Sequence, residues 1–132
     1  MRKTFKKMLA IAVSTVTVLS LATGCGDGSS ADTYEIGICQ LVEHPALDAA
    51  TKGFKDALTE KLGDKVKFDE QNAQGESATC ATVMNTFVSK NVDLILANAT
   101  APLQSAANAT ADIPILGTSI TDYATALDIA DF

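Results

Sequence analysis

The sequence predicts an α/β fold, a parallel sheet with helices on both faces, and three observations carry that expectation. From Tyr34 onward, short apolar runs alternate with longer amphipathic stretches, as strand–helix–strand units do. The run at 92–97 is almost unbroken in apolar residues, which suits a strand buried on both sides. The 132 residues, 47% hydrophobic and 20% charged, suffice for one core and argue against a disordered or multidomain chain.

Residues 34–41 read as the first strand. Pro45 then opens a helix, because the amide hydrogen that proline lacks would have no partner at that position. Leu47, Ala50, Phe54, Ala57, Leu58 and Leu62 recur at three- and four-residue steps until Gly63 stops it. Asp48 and Lys52, four apart, are expected to pair on its outer face. In the second strand, 65–72, Val66 and Phe68 alternate with Lys65, Lys67 and Asp69, which predicts one solvated side and an edge position. The second helix spans 76–91 with Cys80, Met84, Phe87 and Val88 on one stripe, and 92–97 follows as the central strand. Pro102 is expected to start a short Ala-rich helix ending near Asp112. Residues 113–117 give a fourth strand whose Pro114 must avoid a donor position in the ladder. Beyond Ile120 the pattern supports at most one or two further amphipathic turns.

Ahead of this domain, Arg2, Lys3, Lys6 and Lys7 precede an uncharged run at 8–22, long enough for a signal-peptide core but short of the ~20 residues of a membrane span. It ends Leu21-Ala22-Thr23-Gly24-Cys25, which resembles a bacterial lipobox, with Ala22 where Leu is usual and Cys25 as the lipidated first residue. The plainer alternative is a secreted chain cleaved nearby. Residues 26–32 have the composition of a flexible tether. The expected organisation is therefore a lipoprotein signal peptide at 1–24, a tether at 25–33 and an α/β lobe at 34–132. Removing 1–24 takes four of the ten positive charges and none of the 16 acids, so the net charge moves from −6 to −10. A domain that acidic repels phosphate backbones, and nucleic acid is not an expected partner.

Ligands of parallel sheets bind beyond the carboxyl ends of the strands, where loops and helix N-termini converge. The loops at 40–45, 72–76, 98–102 and 119–123 offer Gln40, Glu43, His44, Asn72, Gln74, Asn98, Thr100, Ser119, Thr121 and Asp122. These directional donors and acceptors suit a small polar molecule. His44 is the sole histidine, and a neighbouring Glu43 rarely converges with it on one ion, so no metal is expected; Glu43 reads as negative charge near a helix start. No phosphate cradle of the G-x-G-x-x-G or G-x-x-x-x-G-K kind and no G-x-S-x-G elbow occurs, so neither a cofactor nor a catalytic residue is expected. Asp69 and Glu70 end an edge strand while Asp93 begins its own, which argues against an acidic catalytic pocket. Cys39 and Cys80 read as small buried apolar residues, and export would permit a disulfide between them.

The stretch Ile36-Gly37-Ile38-Cys39-Gln40-Leu41-Val42-Glu43-His44-Pro45-Ala46-Leu47-Asp48 resembles the opening of a family of ABC-transporter substrate-binding lipoproteins that includes binders of aromatic amino acids. The similarity continues through Asn72-Ala73-Gln74-Gly75, Asp93-Leu94-Ile95-Leu96-Ala97 with Asn98-Ala99-Thr100 and Gln104, and Pro114-Ile115-Leu116-Gly117-Thr118-Ser119. The resemblance implies a periplasmic-binding-protein type I fold, two lobes closing over a ligand, of which this chain matches the first and would be truncated. It also implies an extracytoplasmic, lipid-anchored component of an ABC importer that partners a permease subunit, captures a small molecule such as an aromatic amino acid, and is no enzyme. Expected ligand contacts are Gln40, Glu43, His44, Asn98, Thr100, Gln104, Ser119, Thr121 and Asp122. Two positions depart from the family pattern: Pro102 falls one residue late, and Tyr123 stands where many members have Pro, which would either change the hinge entry or add an aromatic ring to the cleft. A sugar or nucleoside ligand on the same fold, a small exported flavodoxin-like enzyme and a surface interaction protein are the rival readings.

Overall fold

The computed structural model describes residues 33–130. The signal-peptide, lipobox and tether readings therefore fall, apart from Thr33, outside the described residues. Four strands, β1 (Tyr34–Gln40), β2 (Val66–Asn72), β3 (Leu94–Asn98) and β4 (Ile115–Thr118), form one parallel sheet in the order β2-β1-β3-β4. The connecting helices are α1 (Pro45–Leu62), α2 (Ser77–Lys90) and α3 (Thr100–Ala109), and a one-turn helix α4 (Tyr123–Leu127) follows β4.

The period-two alternation of side chains divides the core by face. Ile36, Ile38 and Leu96 point to one side, where Phe54 and Leu58 of α1 cover them together with Val66, Phe68 and Leu94. Cys39 and Ile95 point to the other, against Cys80, Val83, Met84 and Phe87 of α2 and Ala106 of α3. Gly37 shares that side for a steric reason: a Cβ there would stand 2.7 Å from the Phe87 ring. β2 is an edge strand, as its alternation predicts, and α1 ends at Gly63, whose φ of 56° suits glycine.

Three local expectations need correction. α3 begins at Thr100 rather than Pro102, because first-turn amides have no intrahelical acceptor and proline is tolerated there. It also ends at Ala109, short of Asp112, where the Thr110 hydroxyl accepts from the backbone amides of Asp112 and Ile113 and turns the chain. Lys52 pairs with Asp56 instead of Asp48, which is drawn into the polar cluster described below. Pro114 precedes β4 and contributes only its carbonyl, which accepts from Ile95 N–H at 3.0 Å. No helix among the described residues is long and apolar enough to cross a membrane.

Candidate functional site

β1 leads into α1 on one face and β3 into α3 on the other, so the chain leaves two adjacent carboxyl ends in opposite directions and opens a crevice between them. The last residues of these strands, Gln40 and Asn98, are register partners, and they are 5% and 0% exposed. Buried amides need partners, and α1 supplies them. Gln40 Nε2 donates to the Val42 carbonyl at 2.9 Å and to Asp48 Oδ1 at 2.6 Å, while Gln40 Oε1 accepts from the Thr51 hydroxyl at 2.7 Å. Asn98 Nδ2 donates to the Leu47 carbonyl at 2.8 Å and to Thr51 Oγ1 at 2.9 Å. The Thr51 hydroxyl thus donates to one amide and accepts from the other. Asn98 Oδ1 is left buried without a hydrogen-bond partner, an omission that costs about 1–3 kcal/mol.

The loops around this floor are held in uncommon backbone geometry. Gln74 has φ 54°, Ser119 has φ 59°, and Ala99 turns β3 into α3 in one residue with φ 118° and ψ 168°, a region almost confined to glycine. Each such residue stores roughly 1–3 kcal/mol, and strain of this kind collects at ligand sites. The remaining positive-φ non-glycine residues, Asn91 and Asp128, are ordinary helix C-caps. The second loop is pinned to the first, since Gly75 N–H donates to the Leu41 carbonyl at 2.7 Å and Asn72 Oδ1 accepts from Gln74 N–H at 2.8 Å.

The expected site residues occupy distinct positions. Glu43 and His44 are exposed, and His44 caps α1, its Nδ1 accepting from Ala46 N–H at 3.2 Å. Thr100 is half-buried as the first residue of α3, with Gln104 exposed one turn on. Ser119, Thr121 and Asp122 are exposed beyond β4. Asp122 caps α4: its carboxylate accepts from the Thr125 hydroxyl at 2.8 Å and from Thr125 N–H at 3.2 Å, which holds its carboxyl below the usual range. Side chains thus cap α1 and α4, whereas α2 and α3 have no side-chain cap, so the positive end of the α3 dipole faces the crevice unmasked.

Tyr123 does not offer its ring to the crevice. Its hydroxyl donates to the Gly117 carbonyl at 2.8 Å and its ring lies under Gly117, packing α4 onto β4. Thr51 and Asp48 are the residues that sequence reasoning missed. The signal was present for Thr51, a lone hydroxyl on the otherwise apolar stripe of Leu47, Phe54, Leu58 and Leu62. No group of three or more His, Cys, Asp or Glu among the described residues could hold a metal ion.

Residues 35–132 match the family model for ABC transporter substrate binding proteins. The chain is 45% identical to a tyrosine-binding protein of Clostridioides difficile (strain R20291), over 89% of this chain and 38% of that protein. The fold is similar to the ligand-free, open structure of a substrate binding protein with adhesive properties from Clostridium difficile, at TM-score 0.69 and 45% identity, over 71% of this chain and 33% of that one. It is also similar to a Streptococcus pneumonia domain solved with L-Trp, at TM-score 0.68 and 38% identity, over 72% and 33% of the two chains. The present chain thus spans little more than a third of the length of the curated relative.

Proposed function

The chain belongs to the ABC transporter substrate binding protein family, and we propose that its strand-end crevice is one wall of a site that captures an aromatic amino acid for an importer. The observation that carries this reading is the Gln40–Asn98 floor, a buried amide pair at the switch point of the sheet with one acceptor unsatisfied. The names of two relatives support the ligand class, one for tyrosine and one for its L-Trp complex.

In this reading the ligand's carboxylate docks at the uncapped first turn of α3, beside the Thr100 and Ser119 hydroxyls. Asn98, sealed beneath the crevice, holds Leu47 and Thr51 of α1 in place under the ligand. Glu43, His44, Gln104, Thr121 and Asp122 line the mouth. The aromatic ring stacks on the rest of the full-length protein, since Tyr123, the aromatic side chain nearest these loops, is engaged at Gly117. Closure of the second lobe then excludes water and presents the complex to a permease. Arg2, Lys3, Lys6 and Lys7 with the run ending at Cys25 support an exported, lipid-anchored form, and Cys25→Ser should release the protein from the membrane.

Calorimetric titration of the full-length protein with tryptophan, tyrosine, phenylalanine, ribose and adenosine tests the ligand class. Aromatic amino acids should bind; binding of ribose or adenosine alone would overturn it. Asn98→Ala and Thr100→Ala should each weaken affinity about 5- to 150-fold, the worth of one buried hydrogen-bonding partner. Unchanged affinity in both would move the site to other loops.

A further inference from the structure

Tyr123 anchors α4 to β4 through a contact that packing alone does not require. The carbonyls of Pro114 and Thr118 accept from the Ile95 and Ala99 amides at 3.0 Å, so the backbone groups of even-numbered residues in β4 face β3. Those of Ile115 and Gly117 face outward, along the edge of β4 that no described strand covers. On that edge the Tyr123 hydroxyl donates to the Gly117 carbonyl at 2.8 Å. Water could satisfy a carbonyl there, and a phenylalanine ring would pack as well beside Leu103, Ile120 and Leu127. Neither need accounts for the hydroxyl.

We propose that Tyr123 is a positioning residue: by stitching α4 to the β4 edge it fixes the loop at 119–122 and holds the Ser119 hydroxyl at the crevice, a role that rests on the ligand site proposed above. The loop is tied at both ends. At its start the Thr118 carbonyl accepts from Ala99 N–H at 3.0 Å, which joins it to the turn that opens α3. At its end Tyr123 brings the chain back to Gly117, six positions earlier. The other contacts of α4 do not replace this second tie. A helix of five residues does not hold itself, and Asp122 bonds to Thr125 within the same turn rather than to the sheet. Ala126 and Leu127 pack onto Leu103, but apolar contact is non-directional and leaves the turn free to slide. Ser119 meanwhile sits at φ 59°, which a residue other than glycine keeps only where its surroundings fix it.

Gly117 is the counterpart of the stitch. A Cβ there would stand 2.9 Å from Tyr123 Cε1 and 3.0 Å from its hydroxyl oxygen, so the phenol reaches its place only because residue 117 has no side chain. The contact can therefore be cut from either side, by removing the hydroxyl or by inserting a methyl group. Its effect on binding is indirect. A loop already fixed in the free protein loses less freedom when a ligand seats, so the stitch raises affinity without touching the ligand.

The test compares the full-length parent with Tyr123→Phe, Gly117→Ala and Ser119→Ala. Amide hydrogen exchange of the ligand-free proteins reads the stitch itself. Peptides spanning 119–125 should exchange about 2- to 10-fold faster in the first two variants, the worth of one hydrogen bond, while those of β1 and β3 keep the parent rate. Unchanged loop exchange in both variants would overturn the proposal, whatever the protein binds. Calorimetric titration with L-tyrosine and L-tryptophan reads the consequence. Tyr123→Phe should lower affinity about 2- to 10-fold while the ligand-free melting temperature barely moves, and that loss should vanish in a Ser119→Ala background. Faster exchange with unchanged affinity, or the same loss with and without the Ser119 hydroxyl, would overturn the positioning role. A parent that binds neither amino acid would overturn the ligand reading instead, and exchange would still decide the stitch.

Discussion

The two faces of the sheet are built on different principles. On the α2–α3 face both helices are free of charged residues except Lys90, and they bury Cys80, Val83, Met84, Phe87, Pro102, Leu103 and Ala106. On the other face α1 is heavily charged and its one buried residue is Thr51. Its ion pairs, Lys52 with Asp56 and Lys55 with Glu70, are solvent-exposed and contribute little. The α2–α3 face therefore buries more of its helices, while α1 covers Ile36, Ile38 and Leu96 with Phe54 and Leu58 and is oriented by the hydroxyl and amides at the strand ends. In the proposed reading, packing and recognition are divided between the two layers, and changes on each should produce different symptoms.

The largest expected effect falls on the packed face. Phe87→Ala should cost about 3–5 kcal/mol in urea denaturation, because the ring is fully buried against Gly37. Phe54→Ala on half-buried α1 should cost clearly less; equal losses would erase the contrast. Next, Thr51→Val should cost about 1–3 kcal/mol and also weaken ligand binding, since it takes the hydroxyl donor from Gln40 Oε1 and one of the acceptors from Asn98 Nδ2, whereas Thr51→Ser should keep most of both properties. A Val variant that loses stability but binds normally would separate the floor from recognition.

The smallest effect is a pH dependence at the sheet edge. Lys90, with help from Gln71, holds the Asp69 carboxyl below its ordinary value of 3.8. A depressed carboxyl adds stability that is complete above the unfolded value and is lost as pH falls through the lower folded one. Melting temperature measured from pH 5 downward should therefore fall less steeply in Asp69→Asn than in the parent. The difference should stay below about 1 kcal/mol, because Lys90 is solvent-exposed and Asp69 only half-buried. Identical slopes would show that the Lys90 contact adds nothing.

Much of the architecture was legible in residues with strong local meaning. Pro45 and Gly63 bracket α1, and the alternation at Val66 and Phe68 marks an edge strand. Pro102 misled because proline is compatible with any position in a helix's first turn, so it marks the neighbourhood of a start rather than the start itself. Asp48 misled for a different reason. A helical spacing offers it Lys52, but the buried Gln40 amide competes for the same carboxylate, and only the tertiary fold brings Gln40 there. Gln40 and Asn98 were legible as strand-end polar residues. Their burial, and the orphaned oxygen of Asn98, depend on how closely α1 sits against β1 and β3, which no local pattern encodes.

The strand order also sets a schedule for synthesis. β1 is made first yet lies in the interior of the sheet, so its second edge stays unpaired until β3 exists. Chain elongation at about 5–20 residues per second puts roughly 3–12 seconds between the two strands. For that interval Ile36 and Ile38 can be covered by α1 and β2 alone, and the pairing of β1 with β3 closes late because it spans a long sequence separation. The newborn chain therefore passes through a stage at which β1 is half dressed, one edge paired with β2 and the other still open.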